Sequence, residues 1–297
     1  MAITLQNTLP DPNNNISTTG AGGAGTNSAG VYEGASVVGF KSVKIDSEAP
    51  VMKTRTNSGR LVSRAIVGHK YTVNITYNPM TRAQFEPIFN FLLDKRGGLK
   101  PFFVVLPQNK DPQDSNLSNN TIRFVGDHNR LIVNNRYEIA TASTTSWTSL
   151  GAAAATTGTV FTRNDVASNT GSGTVKALAG STSMVIDTLG SNNPMPGDMF
   201  TITDSSDINH TKAYKVTRVE TPDSSDNFNN LAGSVTLASS DRVIHFIPAL
   251  QRKVTDNSEL DFTSPKMRVI LASDVQSYSL DVNNLYSFSL NLEEAQP

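Results

Sequence analysis

One helix in this chain is specified almost completely by its own residues, Met80-Thr81-Arg82-Ala83-Gln84-Phe85-Glu86-Pro87-Ile88-Phe89-Asn90-Phe91-Leu92-Leu93-Asp94-Lys95-Arg96-Gly97-Gly98. Thr81 and Gln84 have capping-box spacing, and Met80 and Phe85 sit where a hydrophobic staple closes the entry turn. Phe85, Ile88, Phe89 and Leu92 recur at helical spacing and form one apolar stripe. Lys95 and Arg96 lie at the negative end of the dipole, and Gly97 offers the left-handed cap. Pro87 removes one backbone hydrogen bond and is expected to kink the helix or mark a restart. No other segment reads as a comparable helix. A lone amphipathic helix among strands has to bury its stripe on a sheet, which restricts the fold to β-structure with one packed helix.

The strands around it support that class. Val37 to Ile45 is apolar-rich, with a phase change near Gly39 that suggests a bulge. Tyr71, Val73, Ile75 and Tyr77 alternate with polar residues, as in a half-buried strand. Pro101 to Pro107 encloses Phe102-Phe103-Val104-Val105-Leu106 and reads as a fully buried central strand. Near the other end, Met267, Val269 and Leu271 alternate, as do Tyr278, Leu280 and Val282. After a turn at Asn283-Asn284 the pattern continues through Tyr286, Phe288, Leu290 and Leu292. Residues 31–107 and 266–297 therefore read as one β-sandwich carrying the helix at 80–96.

Residues 108–265 differ in character and read as an insertion, a small β-barrel of OB-like size. After a polar entry, Gln108 to Asn120, short strands are expected at Arg130–Val133, Lys176–Ala179, Met184–Thr188, Met199–Thr203, Ala213–Val219, Ser234–Leu237 and Val243–Ile247. Residues 1–30 are low in complexity and bury too little apolar surface to offset their ordering entropy. They are expected to form an extended arm held by a neighbouring subunit.

Composition removes several functions. Among 297 residues, 25 basic and 26 acidic side chains leave a net charge of −1, and no basic run interleaved with aromatics invites nucleic acid. There is no Cys, so thiolate metal sites, disulfides and Cys nucleophiles are excluded. No apolar stretch is long enough for a membrane helix, and Met1 to Gln6 does not resemble a signal peptide.

Candidate chemistry is thin. Gly20-Ala21-Gly22-Gly23-Ala24-Gly25 matches a dinucleotide fingerprint in letters, but lacks the strand and helix that such a site needs. His69, His128, His210 and His245 show no metal-ligand spacing. Asp204-Ser205-Ser206-Asp207 and Asp223-Ser224-Ser225-Asp226 cluster oxygens that calcium could use, but their composition is that of turns. Glu293-Glu294 reads as a solvated pair, and Trp147 as a packing anchor more than a sugar platform. No nucleophile elbow, P-loop or paired-carboxylate motif is present. The chain is expected to be no enzyme and to need no cofactor or metal.

Tyr71 to Pro79, Met80 to Gly98 and Pro101 to Pro107 follow an order of strand, Pro, Thr-Arg-Ala-Gln-Phe, apolar helix, Arg-Gly and aromatic strand. A second stretch runs Pro196-Gly197-Asp198-Met199-Phe200-Thr201-Ile202, then His210, Tyr214-Lys215-Val216-Thr217, Gly233, Val235, Leu237, Phe246, Pro248 and Leu250-Gln251-Arg252. With the closing strand Tyr286 to Glu294, this pattern resembles distal tail proteins of tailed bacteriophages, in which a tail-tube-like sandwich carries an inserted barrel. The resemblance implies a structural virion protein at the tail tip, made in the host cytoplasm. It implies a homo-oligomeric ring of six copies that joins the tail tube to hub, baseplate or fibre proteins, with no membrane and no sequence-specific nucleic-acid contact. The residues then expected to carry structure and assembly are Thr81, Gln84, Phe85, Ile88, Phe89, Leu92, Gly97, Tyr286, Phe288 and Leu290. Competing readings are a tube initiator or hub component of a contractile tail, and a carbohydrate-binding tail adhesin using Trp147 and the Asp-Ser-Ser-Asp turns. A polysaccharide-degrading enzyme is disfavoured by the lack of a carboxylate constellation.

Overall fold

The computed structural model describes residues 7–10, 39–65, 68–119, 121–166, 171–187, 192–221 and 238–295. The glycine run at 20–25, Asp223 to Asp226 and the strand expected at Ser234–Leu237 lie outside them. In chain order the elements are β1 Phe40–Glu48, β2 Val51–Arg55, β3 Leu61–Ala65, β4 Lys70–Tyr77, helix α1 Arg82–Lys95, β5 Phe102–Val104, β6 Ile122–Phe124, β7 Arg136–Thr141, β8 Val160–Thr162, β9 Thr174–Ala177, β10 Ser183–Asp187, β11 Met199–Thr203, β12 Ala213–Glu220, β13 Arg242–Ile247, β14 Glu259–Asp261, β15 Met267–Leu271, β16 Tyr278–Leu280 and β17 Tyr286–Glu294. The protein is mostly β-structure with a single α-helix among the described residues. Two compact units emerge, one from residues 1–107 with 267–296, the other from 108–266.

The first unit is built on a six-stranded sheet. Five strands follow the order β1-β4-β17-β15-β5, and β16 pairs the start of β17. All these pairings are antiparallel. The register sets Leu290 beside Ile75 and Leu292 beside Val73. Strand alternation then sends Tyr71, Val73, Ile75, Tyr77, Met267, Val269, Leu271, Phe288, Leu290 and Leu292 into the core. The helix covers this face: Phe85 meets Phe288 at 5.9 Å between ring centroids and Phe91 meets Phe102 at 5.4 Å. The second layer opposite the sheet is thus the helix, not another stacked sheet; β2 and β3 form a separate two-stranded ribbon.

Helix α1 starts where its residues predict. The Thr81 N–H donates to Gln84 Oε1 at 2.9 Å. The stripe is corrected in detail: Phe85, Ile88, Phe91, Leu92 and Lys95 are buried, while Phe89 is half-buried. Phe91 and Lys95 continue the stripe around the cylinder, and the Lys95 ammonium lies 4.4 Å from the Phe91 ring centroid. Pro87 is accommodated inside one continuous helix. The left-handed turn begins one residue early, at Arg96 with φ 55°, and continues at Gly97 with φ 63°.

Other expectations change with the topology. The expected central strand is the edge strand β5, and Phe103 on it is only half-buried. Its outer edge is covered by the chain's own N-terminal segment: the Phe103 N–H donates to the Asn7 carbonyl at 2.6 Å and the Leu9 N–H to the Phe103 carbonyl at 2.7 Å. Leu9 is buried, so residues 7–10 belong to their own unit rather than to an arm laid on a neighbour. An open sheet edge is a ready template, and the nearest free segment of the chain occupies it. The β1 bulge falls between Phe40 and Ser42. β16, read as half-buried, is exposed along its length.

The second unit contains a closed barrel in the order β10-β13-β12-β11-β14-β6, antiparallel throughout. Six strands, against the five of an OB-fold, set it apart from that class. Phe124, Ile186, Phe200, Ile202, Tyr214, Val216, Ile244, Phe246 and Leu260 fill it. Arg130–Val133 is a loop, and β6, β7, β8 and β14 were not expected: β6, β8 and β14 have three residues each, and β7 buries only Tyr137 and Ile139, too few to establish a period. A three-stranded sheet, β8-β7-β9, carries its own core around Trp147, Tyr137, Ile139, Phe161 and Val175.

Candidate assembly surface

The polar residues that could have carried chemistry are engaged in structure. Among the described residues no group of three or more His, Asp and Glu side chains could hold a metal ion. Asp204 accepts from the Ser206 N–H at 2.8 Å and the Thr255 N–H at 2.9 Å, and Asp207 pairs with Arg252 at 2.8 Å. This Asp-Ser-Ser-Asp segment is a turn that pins the barrel. Trp147 is wholly buried and donates its indole N–H to the Ala142 carbonyl at 2.7 Å, so it offers no stacking face. His69 lies 2.8 Å from Ser47 Oγ, His128 is buried beside Trp147, and His245 lies 2.9 Å from Glu220.

His210 is the most perturbed histidine. It is buried in the barrel, 2.7 Å from the Tyr214 hydroxyl, and Gln251 N–H donates to that same hydroxyl at 3.1 Å. His210 and the Gln251 backbone thus share the Tyr214 hydroxyl in one small hydrogen-bond network. Burial lowers the His210 pKa to about 4 against the opposing charges of Asp207 and Asp204. This is a structural brace. A polar depression of about 530 Å³ nearby is lined by Lys176, Ser206, Asp207, Gln251, Arg252 and Lys253. Two of its cations are already neutralised, Arg252 by Asp207 and Lys253 by Glu138.

The first unit is different, because large parts of its surface lack a partner among the described residues. The open face of the sheet is polar. Ser42, Thr76 and Ser289 form one cross-strand row, Lys44, Asn74 and Asn291 a second, and Asp46, Thr72 and Glu293 a third. Lys70 bridges Glu293 at 2.7 Å and Glu48 at 3.6 Å on this face, and the hydrogen bond and charge of Glu293 raise its pKa. Lys41, Thr76, Ser277, Ser279, Ser287 and Ser289 border a shallow groove of about 380 Å³ beside it.

An aromatic clamp holds the β16–β17 tip against the helix. Phe85 stacks on Phe89 at 5.0 Å and approaches Tyr278 at 4.9 Å, and Phe89 meets Tyr278 edge-on at 5.3 Å. Met80 and Tyr286 exchange backbone hydrogen bonds of 3.0 and 2.8 Å. At the helix end, Gly98 N–H donates to Asp274 Oδ1 at 3.2 Å, and a Cβ on Gly97 would stand only 2.5 Å from that oxygen. The tip turn is tied by Asp281, which accepts from Asn283 and Leu285 N–H groups at 2.8 and 2.9 Å. The clamp touches the tip through Tyr278, yet Val275, Tyr278, Leu280 and Val282 remain largely exposed, the last at 98%.

The expected assembly residues thus divide. Phe85, Phe89, Tyr286 and Phe288 converge on the clamp, Thr81 and Gln84 cap the helix start, Gly97 meets Asp274 at the helix end, and Ile88, Leu92 and Leu290 are plain core. None is a free contact surface; they position one. The exposed ribbon β2–β3 was missed altogether. Its signal was available in the letters: residues 51–65 contain Lys53, Arg55, Arg60 and Arg64 and no acid.

No protein-family profile matches this chain, and no curated protein matches it.

Proposed function

We propose that this protein is a structural component of a bacteriophage tail, assembling as a ring of identical copies at the distal end and joining the tail tube to hub, baseplate or fibre proteins. One observation carries the reading. The first unit seals one sheet face with its single helix but leaves the β2–β3 ribbon and the β16–β17 tip, both carrying exposed apolar residues, without a covering element among the described residues. Surfaces of that kind are costly in a lone subunit and are ordinarily covered by a neighbour. The inserted unit leaves the sheet after β5 and returns at β15, which are hydrogen-bonded neighbours with Val104 opposite Met267. It therefore adds an attachment module without breaking the sheet. Six copies follow from the resemblance to distal tail proteins.

Electron microscopy of the purified protein tests this. Closed rings with a central hole are expected, together with a single large species in sedimentation. A protein that stays monomeric across the accessible concentration range overturns the proposal.

A further inference from the structure

The β2–β3 ribbon pairs with no other described strand, and residues 51–64 are exposed along their whole length. Two-stranded ribbons are marginally stable when isolated in water, so contact with a partner would stabilise this one. Both of its faces mix cations with apolar groups. Met52, Thr54, Val62 and Arg64 share one face; Val51, Lys53, Arg55, Leu61 and Ser63 share the other. Val51, Met52, Leu61 and Val62 are 44–62% exposed. The partner this chemistry fits is an exposed apolar surface on which carboxylates outnumber cations.

The same chain presents one. Residues 273–285 carry Asp274 and Asp281 and no basic residue, and no basic residue follows Arg268. Val275, Tyr278, Leu280 and Val282 stand out from it, 51–98% exposed. The aromatic clamp and the Asp281 turn tie this tip to the rest of the first unit. The geometry points to a contact in which the basic ribbon of one copy docks on the acidic β16–β17 tip of the next. Ribbon-on-tip uses two different patches on each copy, so the contact is able to propagate head to tail from subunit to subunit, and it closes as a ring when the rotation between neighbours closes. The inference rests on the ring reading above and names the surface that would build it.

Two variants separate the possibilities. Lys53→Glu with Arg55→Glu and Arg64→Glu makes the ribbon acidic. Ser279→Lys with Asn283→Lys makes the tip basic. All five positions are exposed, and circular dichroism melts matching the unaltered protein verify folding. Each variant alone is expected to lose the assembled species in sedimentation. Mixed together they are expected to recover it, since each then offers the surface the other lost. Assembly of both single variants as in the unaltered protein, or failure of the mixture to associate, overturns this contact. If the unaltered protein forms rings in the same runs, the ring reading survives that failure; if it forms none, the ring reading fails as well.

Discussion

Phe85 on the helix and Tyr286 on the last strand stack with ring centroids 4.6 Å apart and planes 14° apart. The pair joins the start of the helix to the strand on which the sheet closes, residues separated by most of the chain. Phe85 is 2% exposed and also touches Phe89, Tyr278 and Phe288. Phe85→Ala should cost about 3–5 kcal/mol in urea unfolding of the first unit. Half-buried Phe89→Ala should cost about 1–2 kcal/mol, within the ordinary range for partly exposed sites. Equal losses for the two would mean that the clamp does not centre on Phe85.

The insertion should be removable. Val104 and Met267 are directly opposed on neighbouring strands, so replacing residues 108–265 by a short Gly/Ser linker asks the chain to span only a strand-to-strand gap. The shortened protein should keep a β-type circular dichroism spectrum and melt cooperatively. An unfolded product would show that the sheet needs the insertion to form.

The barrel should weaken in acid. His210 has a folded pKa of about 4 against 6.5 for an ordinary histidine, so between those values the unfolded chain binds a proton that the folded chain refuses. Stability is fully present above pH 6.5 and falls as pH drops toward 4, by about 2–3 kcal/mol. Denaturant melts of the unaltered protein and of His210→Gln across that range check it. The substitution should flatten the slope, and an unchanged slope would assign it to other groups.

Gly173 should tolerate no side chain. A Cβ there would lie 2.4 Å from Trp147 Cζ2 and 2.8 Å from the Thr141 carbonyl oxygen, with backbone on one side and a locked indole on the other. Gly173→Ala should cost about 1–3 kcal/mol by overpacking and shift the emission of Trp147. A loss near zero would mean that the indole moves freely.

What was legible in the sequence follows from how much local information each element carries. Thr81, Gln84, Phe85 and Leu92 specify their helix through caps and period, and β4 and β17 specify theirs through four or five strict alternations each. β8 and β14 have three residues apiece, and no period can be read from so few. The edge position of β5 was hidden because Phe102-Phe103-Val104 looks alike in a central strand and in an edge strand covered by Asn7 to Leu9. Phe91 and Lys95 escaped the stripe because a charged residue at the helix end reads as solvated, although its stem lies along an aromatic ring. The candidate surface was least legible. Exposed Leu280 and Val282 look like core in an alternating pattern, and only the fold shows that they face water.

The adjacency of β5 and β15 also bears on how such a chain diverges. A module whose two ends emerge from paired strands can be gained, lost or exchanged in one event, leaving the hydrogen-bond register of the host sheet intact. Substitutions can then accumulate in residues 108–266 while the sheet, helix, ribbon and tip remain under separate constraint. Descendants would come to share one scaffold while carrying different modules between the same two strands.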